Sequence, residues 1–124
     1  MISIQLAEEL NKIISESSGG SSGIRDEKLL SSALSRPFQT FDGKELYPSA
    51  IDKSAAIFQS IVLNHPFLDG NKRMGYVLMR LLLSENGLDI EASDDEKYSF
   101  VICVSKGEIE YEGIKDWIII NLKK

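Results

Sequence analysis

The stretch HPFLDGNKR, residues 65–73, separates two long segments with the apolar spacing of helices. It holds the only histidine of the chain, His65, and a carboxylate, Asp69, four positions later. Pro66 disfavours the right-handed α conformation at the preceding residue, so the first of the two helices is predicted to end there. A Gly-Asn turn at residues 70–71 then begins the next helix. The stretch is therefore predicted to be a short loop between two packed helices.

Apolar residues recur at three- and four-residue spacing along nearly the whole chain, which is typical of amphipathic helices. Capping residues, proline and glycine indicate where these helices begin and end. The sequence therefore predicts an all-α fold, a compact bundle of about six helices without a repeat. Six helices are predicted: about residues 3–16, Asp26 to Pro37, Ser49 to Asn64, Gly70 or Asn71 to Asn86, Ser93 to Gly107, and Ile114 to Leu122. The helix that begins at Ser93 has the pattern of a capping box.

Two segments interrupt the helical pattern. Residues 17–23 contain only serine and glycine, but too few residues precede them for a separate domain. We interpret them as a loop between packed helices, so the chain is expected to be one domain, 1–124. Residues 38–47 contain Asp42-Gly43 between β-favouring residues, a hairpin signal. This segment is either a plain surface loop or an exposed hairpin edge at which an extended peptide could dock by strand addition.

Composition limits the possible partners. The formal net charge is −5 and the pI is about 4.9, so nucleic acid is not expected to be a direct partner. The one cysteine, Cys103, lies in an apolar run and is expected to be a buried thiol. A single cysteine cannot form an internal disulfide, and the apolar stretches are too short to cross a bilayer. A cytoplasmic protein without a membrane partner is expected.

The loop contains groups that a phosphate-handling site needs. It leads into a helix N-terminus, where unpaired N–H groups and the helix dipole favour anions. Gly70 lets the backbone approach a bound group, and Asn71 can donate through its amide. Lys72 and Arg73 lie in the first turn, where the dipole disfavours cations unless an anion is bound. Asp69 could balance these charges or hold Mg²⁺ through an oxygen ligand.

Each of these residues also has an ordinary structural interpretation. His65 could be a capped or solvated loop residue, and Asp69 could be an N-cap. Phe67 is expected to be a buried anchor that fixes the loop. Lys72 and Arg73 by themselves would usually be solvated surface. Their combination in one loop favours phosphoryl or nucleotidyl transfer.

The loop resembles the signature motif of the Fic/Doc family, whose general Fic pattern is H-x-F-x-[DE]-G-N-G-R-x-x-R. The Doc branch, the death-on-curing toxins, has lysine in place of the second glycine and lacks the final arginine. This chain has Lys72 and Tyr76 at those two positions and follows Doc at both. Residues 23–26 and 35–37 are similar to the family's upstream sequence. The resemblance implies a Fic/Doc-type bundle in which residues 38–47 form a flap that clamps the target peptide.

The resemblance also implies a role for each residue of the loop. His65 is the general base that deprotonates a target hydroxyl. Asp69 binds Mg²⁺, which bridges the phosphates of ATP. Gly70 and Asn71 hold phosphate through amides, and Arg73 binds phosphate as well.

Lys72 bears on the type of reaction that the resemblance implies. Fic enzymes with glycine at this position usually transfer AMP, whereas Doc-type proteins with lysine act as protein kinases that present the γ-phosphate. The resemblance therefore implies both a catalytic and an ATP-binding role for Lys72. The target that it implies is a threonine of translation elongation factor Tu. Many Doc-type loops have alanine after the aspartate, but this loop has Gly70, as in Fic. AMP transfer to a protein hydroxyl remains the alternative.

Inhibition is expected to come from another chain. Many Fic proteins carry an inhibitory [ST]-x-x-x-E-[GN] helix, but Glu85 and Glu112 lack a serine or threonine four residues earlier. In Doc systems a small cognate antitoxin supplies the blocking segment, so a toxin of a toxin–antitoxin pair is the leading hypothesis. A non-catalytic helical binding module is a further alternative.

Overall fold

The apolar spacing of the sequence corresponds to six α-helices in the computed structural model, which describes all 124 residues. The prediction of an all-α bundle with a small hairpin is confirmed. No helix is both long enough and apolar enough to span a membrane. The elements are α1 Ile4–Ser18, α2 Glu27–Ser35, a 3₁₀ turn Arg36–Phe38, β1 Thr40–Phe41, β2 Lys44–Glu45, α3 Ala50–Asn64, α4 Asn71–Ser84, α5 Asp94–Ser105 and α6 Tyr111–Ile120.

Capping residues set the helix boundaries close to those predicted. The Asp26 side chain accepts a hydrogen bond from the Leu29 N–H at 3.0 Å and begins α2. The predicted capping box at Ser93 is present, and a second one at Ser49 begins α3. Helix α1 continues two residues beyond its predicted end at residue 16, and Gly19, with φ of 75°, then caps it.

Helix α3 lies at the centre of the bundle and packs along α4. Gly75 of α4 permits this close contact, because a Cβ there would lie 2.8 Å from Val62 Cγ2. Two apolar clusters flank the pair. The first contains Ile2, Ala7, Leu30, Ala33, Leu34, Ile57, Ile61, Phe67, Met74, Leu78 and Leu82. The second contains Ala55, Phe58, Val62, Met79, Leu83, Ile90, Phe100, Val104, Ile114 and Ile118.

The hairpin signal at residues 38–47 is confirmed. Strands β1 and β2 pair antiparallel around Asp42 and Gly43, whose φ values of 53° and 77° suit a two-residue hairpin turn. All four strand residues are exposed, and the Phe41 side chain is 75% exposed. The hairpin therefore presents open edges and an apolar side chain to solvent.

Arg36 fastens the hairpin to α3. Its Nε donates to the Tyr47 hydroxyl at 3.0 Å, and its Nη1 donates to Ser60 Oγ at 2.9 Å and to the Ala56 carbonyl at 3.2 Å. The guanidinium also lies over the rings of Tyr47 and Tyr111, at 5.3 and 5.8 Å from their centres. One side chain thus ties the base of the hairpin to the central helix.

Asn11 is a fully buried polar residue of α1 that connects distant parts of the chain. Its Nδ2 donates to the Asp69 carbonyl at 3.1 Å, and its Oδ1 accepts from the Gly23 N–H at 3.0 Å. Both contacts involve backbone groups of loops, which would otherwise need another partner. Asn11 therefore joins α1 to the loop between α3 and α4 and to the segment before α2.

We expect Asn11→Ala to lower the free energy of unfolding by about 1–3 kcal/mol, because it leaves two backbone groups without their partner. Urea denaturation followed by circular dichroism measures the change. Lys12→Ala, at the adjacent exposed position, is the matched control and should alter stability by less than about 0.5 kcal/mol. An Asn11→Ala protein as stable as the control would show that these hydrogen bonds do not stabilise the fold.

Ionisation of the Asp52 carboxyl makes the stability of the fold depend on pH. Burial alone would raise the pKa of this carboxyl, but hydrogen bonds from Lys115 and Ser49 outweigh burial and hold the pKa below its ordinary value of 3.8. The Lys115 Nζ lies 3.1 Å from Asp52 Oδ1 and joins α6 to the start of α3. A carboxyl with a depressed pKa stabilises the fold above its unfolded pKa and loses this contribution as the pH falls through the folded pKa.

We expect Asp52→Asn to be less stable than the wild type at neutral pH, with the difference disappearing as the pH falls through the lowered pKa of the folded Asp52 carboxyl. Thermal or urea unfolding at a series of pH values measures it. Asp94→Asn is a control, because the Asp94 side chain is fully exposed and pairs only with Lys97 in the next turn. A stability difference that stays constant across the acid range would contradict the assignment to Asp52 ionisation.

Candidate functional site

His65 ends α3 in a left-handed conformation, with φ of 50° and ψ of 57°. Its N–H still donates to the Ile61 carbonyl at 3.2 Å. Pro66 disfavours the right-handed alternative, as predicted, and the left-handed conformation costs a non-glycine residue about 1–2 kcal/mol. The imidazole is exposed and forms no hydrogen bond with the protein. Both ring nitrogens are therefore open to a ligand.

The loop after His65 is held by the side chains of Phe67 and Asn71. Phe67 is fully buried in the first apolar cluster, as predicted. The Asn71 Oδ1 accepts from the Phe67 N–H at 2.9 Å, and its Nδ2 donates to the Phe67 carbonyl at 3.1 Å. Both ends of the Asn71 amide are therefore occupied within the loop. The group that Asn71 leaves for a ligand is its backbone N–H.

The segment before α2 pairs with the loop as a short antiparallel strand would. Ile24 and Phe67 form an antiparallel bridge, and the Leu68 N–H donates to the Gly23 carbonyl at 3.0 Å. The backbone N–H groups of Arg25 and Asp26 both donate to the Pro66 carbonyl, at 2.7 and 3.0 Å. The loop is therefore supported by the upstream stretch that resembles the family, a contact that sequence spacing did not reveal.

Asp69 presents an exposed carboxylate beside the loop between α1 and α2. Its Oδ1 accepts from the Gly70 N–H at 2.8 Å. Gly20 approaches the other oxygen so closely that a Cβ at residue 20 would lie 2.3 Å from Oδ2. No group of three or more His, Cys, Asp or Glu side chains is arranged to hold a metal ion. One carboxylate nevertheless fits Mg²⁺, which commonly takes one or two protein carboxylates and completes its shell with water and substrate phosphate.

The start of α4 offers backbone donors to an anion. Gly70, with φ of 74°, is the N-cap, and no side chain caps this end of the helix. The first helical bond runs from the Met74 N–H to the Gly70 carbonyl, so the N–H groups of Asn71, Lys72 and Arg73 have no acceptor. The helix dipole also favours negative charge here.

Two cations at the same helix end strengthen its positive potential. Lys72 and Arg73 are exposed, and neither side chain forms an ion pair or a hydrogen bond with the protein. A cation in the first turn is disfavoured by the dipole when no anion is present. The combination of open N–H groups and unpaired cations suits a phosphate group.

A groove of about 460 Å³ begins at these cations and extends between α4 and α5. It is lined by Ile14, Lys72, Arg73, Tyr76, Val77, Lys97, Tyr98, Val101 and Ile102. Its walls are mostly apolar, with three cations at the surface. Burial raises the pKa of the Tyr76 hydroxyl, which stays protonated at neutral pH. Of the predicted site residues, Lys72 and Arg73 line the groove, whereas His65 and Asp69 lie outside it.

Sequence reasoning missed two residues that support this site, Asn11 and Arg25. Asn11 is a polar residue next to the apolar stripe of α1, between Leu10 and Ile14, and its complete burial is the feature that marks it. Arg25 donates from its side chain to the carbonyls at the end of α3. The hydrogen bond from Asn11 to the Asp69 carbonyl and those from Arg25 to the end of α3 do not follow from local spacing, because the partners are 39 to 58 residues apart in the chain.

Comparison with known proteins identifies the family. The model of the Fic/DOC family matches residues 1–83, which include α1 to α3, the loop and nearly all of α4. Toxin Doc of Mycolicibacterium smegmatis (strain ATCC 700084 / mc(2)155) is 40% identical over 77 residues, which cover 62% of this chain and 59% of that toxin. This chain thus aligns with about three fifths of the length of that relative. The family match extends over more than half of the chain, and the protein belongs to the Fic/Doc family.

Proposed function

We propose that this protein is a Doc-like toxin that transfers the γ-phosphoryl group of ATP to a hydroxyl side chain of a target protein. The observation that carries the proposal is the position of His65, exposed and without a protein partner, at the beginning of a loop that leads to an open helix N-terminus. Resemblance to the Doc branch supports translation elongation factor Tu as the target. Fic/Doc membership and a 40% identical toxin support the choice of class.

The role that we propose for each residue follows from the hydrogen-bonding and charged groups that it leaves free. The N–H groups of Asn71, Lys72 and Arg73, together with the two cationic side chains, hold the phosphates. Asp69 holds Mg²⁺, which when bound neutralises part of the phosphate charge. Gly70 contributes the turn, and its own N–H is occupied by the Asp69 carboxylate. The site as a whole concentrates positive charge where a phosphoryl group would lie.

His65 acts as general base in this proposal. Its imidazole accepts the proton of the target hydroxyl while the hydroxyl oxygen forms a bond to the γ-phosphorus. The bond from that phosphorus to the β,γ-bridging oxygen breaks, and ADP leaves. A base for this step must reach the hydroxyl, and the exposed, unpartnered imidazole meets that requirement. The hairpin of β1 and β2, with open strand edges, is the proposed site at which the target peptide docks.

AMP transfer is the second candidate, and Gly70 is the observation that favours it. Here the target hydroxyl would attack the α-phosphorus, and pyrophosphate would leave. The same base, the same cations and the same helix end would serve this reaction. The two reactions therefore differ in which end of the nucleotide faces His65.

We also propose that a cognate antitoxin inhibits this protein in trans. The chain has no [ST]-x-x-x-E-[GN] segment, so an inhibitory helix of the Fic type is not supplied from within these residues. The similar protein from Mycolicibacterium smegmatis is named a toxin. A non-catalytic binding module remains a further candidate, and growth arrest by a His65→Ala protein would favour it.

The reaction type is tested with purified protein, elongation factor Tu and ATP labelled at either the γ- or the α-phosphate. We expect γ-label on the target and none from the α-position. His65→Ala should reduce transfer by at least about a hundredfold, because it removes the base. Transfer of α-label without γ-label would reject the kinase proposal in favour of AMP transfer. Absence of both labels would reject this target or the enzymatic function itself.

The role of Lys72 is tested by replacing it with glycine. We expect Lys72→Gly to lose γ-phosphoryl transfer by about a hundredfold, since one positioned donor to a developing charge contributes about this much. Lys72→Ala is the matched control for helix propensity, because glycine alone costs a helix about 1 kcal/mol. Both variants should behave alike if the missing cation is the cause. Unchanged transfer in both would show that Lys72 does not determine the reaction.

A further inference from the structure

Arg25 binds three successive carbonyl oxygens at the end of α3. Its Nε donates to the His65 carbonyl at 2.6 Å, and its Nη2 donates to the Asn64 carbonyl at 2.9 Å. Its backbone N–H donates to the Pro66 carbonyl at 2.7 Å. One residue of the segment before α2 therefore fixes the orientation of every peptide group around His65.

These contacts surround His65, a residue whose backbone can adopt more than one conformation. His65 precedes a proline, so the right-handed α conformation is disfavoured and the extended conformation is the common alternative to the left-handed one. His65 and Asp42 are the only non-glycine residues with positive φ in this chain. A change at His65 to the extended conformation would turn its carbonyl away from Arg25 and redirect the imidazole. The guanidinium therefore selects the conformation that is observed.

The chemistry of arginine suits this position. The last carbonyls of a helix have no intrahelical partner, and the helix dipole favours a cation beside them. The planar guanidinium presents two donors in a fixed geometry, so it can bind two neighbouring carbonyls at once. Arg25 is exposed, and solvent therefore limits its contribution to overall stability. Its main effect is expected on local geometry.

We propose that Arg25 is a positioning residue that holds the His65 backbone, and thereby the imidazole, in the orientation used for group transfer. The catalytic part of this inference rests on the proposed function. Arg25 is not assigned to the nucleotide, because its Nε and Nη2 donors are already bound to carbonyls of the loop. The cations assigned to phosphate are Lys72 and Arg73, which have no protein partner.

The backbone effect is measured by NMR without reference to activity. His65 is the only histidine, so protein labelled with ¹⁵N-histidine gives a single backbone amide signal. We expect Arg25→Ala to shift this signal and to lower its order parameter from about 0.85, typical of rigid backbone, to below about 0.6. Lys28→Ala, which removes a nearby exposed cation without a protein partner, is the matched control and should leave the signal unchanged.

The effect on catalysis is measured by determining kcat and KM for Mg-ATP separately in each variant. We expect Arg25→Ala to lower kcat by about tenfold to a hundredfold through misplacement of the base, with KM for Mg-ATP unchanged. Arg25→Lys keeps the charge but not the paired donors, so its kcat should lie between those of Arg25→Ala and the wild type. Each variant retains the backbone bond from residue 25 to the Pro66 carbonyl, which favours correct folding.

The outcomes separate this inference from the proposed function. If the wild type transfers no label but the His65 signal responds to Arg25→Ala, the proposed reaction is wrong and the backbone role stands. An unchanged His65 signal in a folded Arg25→Ala protein would overturn the inference. A raised KM for Mg-ATP at constant kcat would overturn it too, by assigning Arg25 to nucleotide binding. If Arg25→Ala does not fold, the same measurements on Arg25→Lys decide.

Discussion

The burial of Phe67 is the constraint on which the candidate site depends. Its side chain is fully buried within the first apolar cluster, although it belongs to a short loop. Removal of such a side chain from water contributes about 1.5–3 kcal/mol, which is enough to fix the loop against α3 and α4. Its neighbour Leu68 is 57% exposed, and His65 is exposed on the other side of Pro66. One apolar anchor thus holds a loop whose polar residues remain accessible.

Polar contacts from the N-terminal part of the chain provide the second support. Asn11 binds the Asp69 carbonyl, Gly23 binds the Leu68 N–H, and Arg25 binds the carbonyls next to His65. All of these residues lie within the segment that matches the family, 1–83. Helices α5 and α6 lie outside it, contribute part of the second apolar cluster, and α5 forms one wall of the groove. The segment that matches the family therefore contains the residues that orient the loop.

Features with a local cause could be predicted from the sequence. The capping box at Ser93, the hairpin turn at Asp42-Gly43 and the end of α3 before Pro66 each depend on a few neighbouring residues. Contacts between distant segments could not be predicted, because spacing carries no information on which segments meet. The close approach of Gly20 to Asp69 and the hydrogen bonds of Asn11 are of this kind.

Gly70 has a structural explanation that is independent of the reaction. Its φ of 74° is a left-handed conformation, which glycine adopts without the cost that alanine would incur. The space around it is open, since a Cβ would meet its nearest neighbours only at 3.9 Å. Glycine at this position is therefore explained by the turn as well, which lowers its weight as an indication of AMP transfer. The proposed distinction between the two reactions rests more on Lys72, because it offers both a free backbone N–H and an unpaired cation, whereas a glycine there would offer the N–H alone.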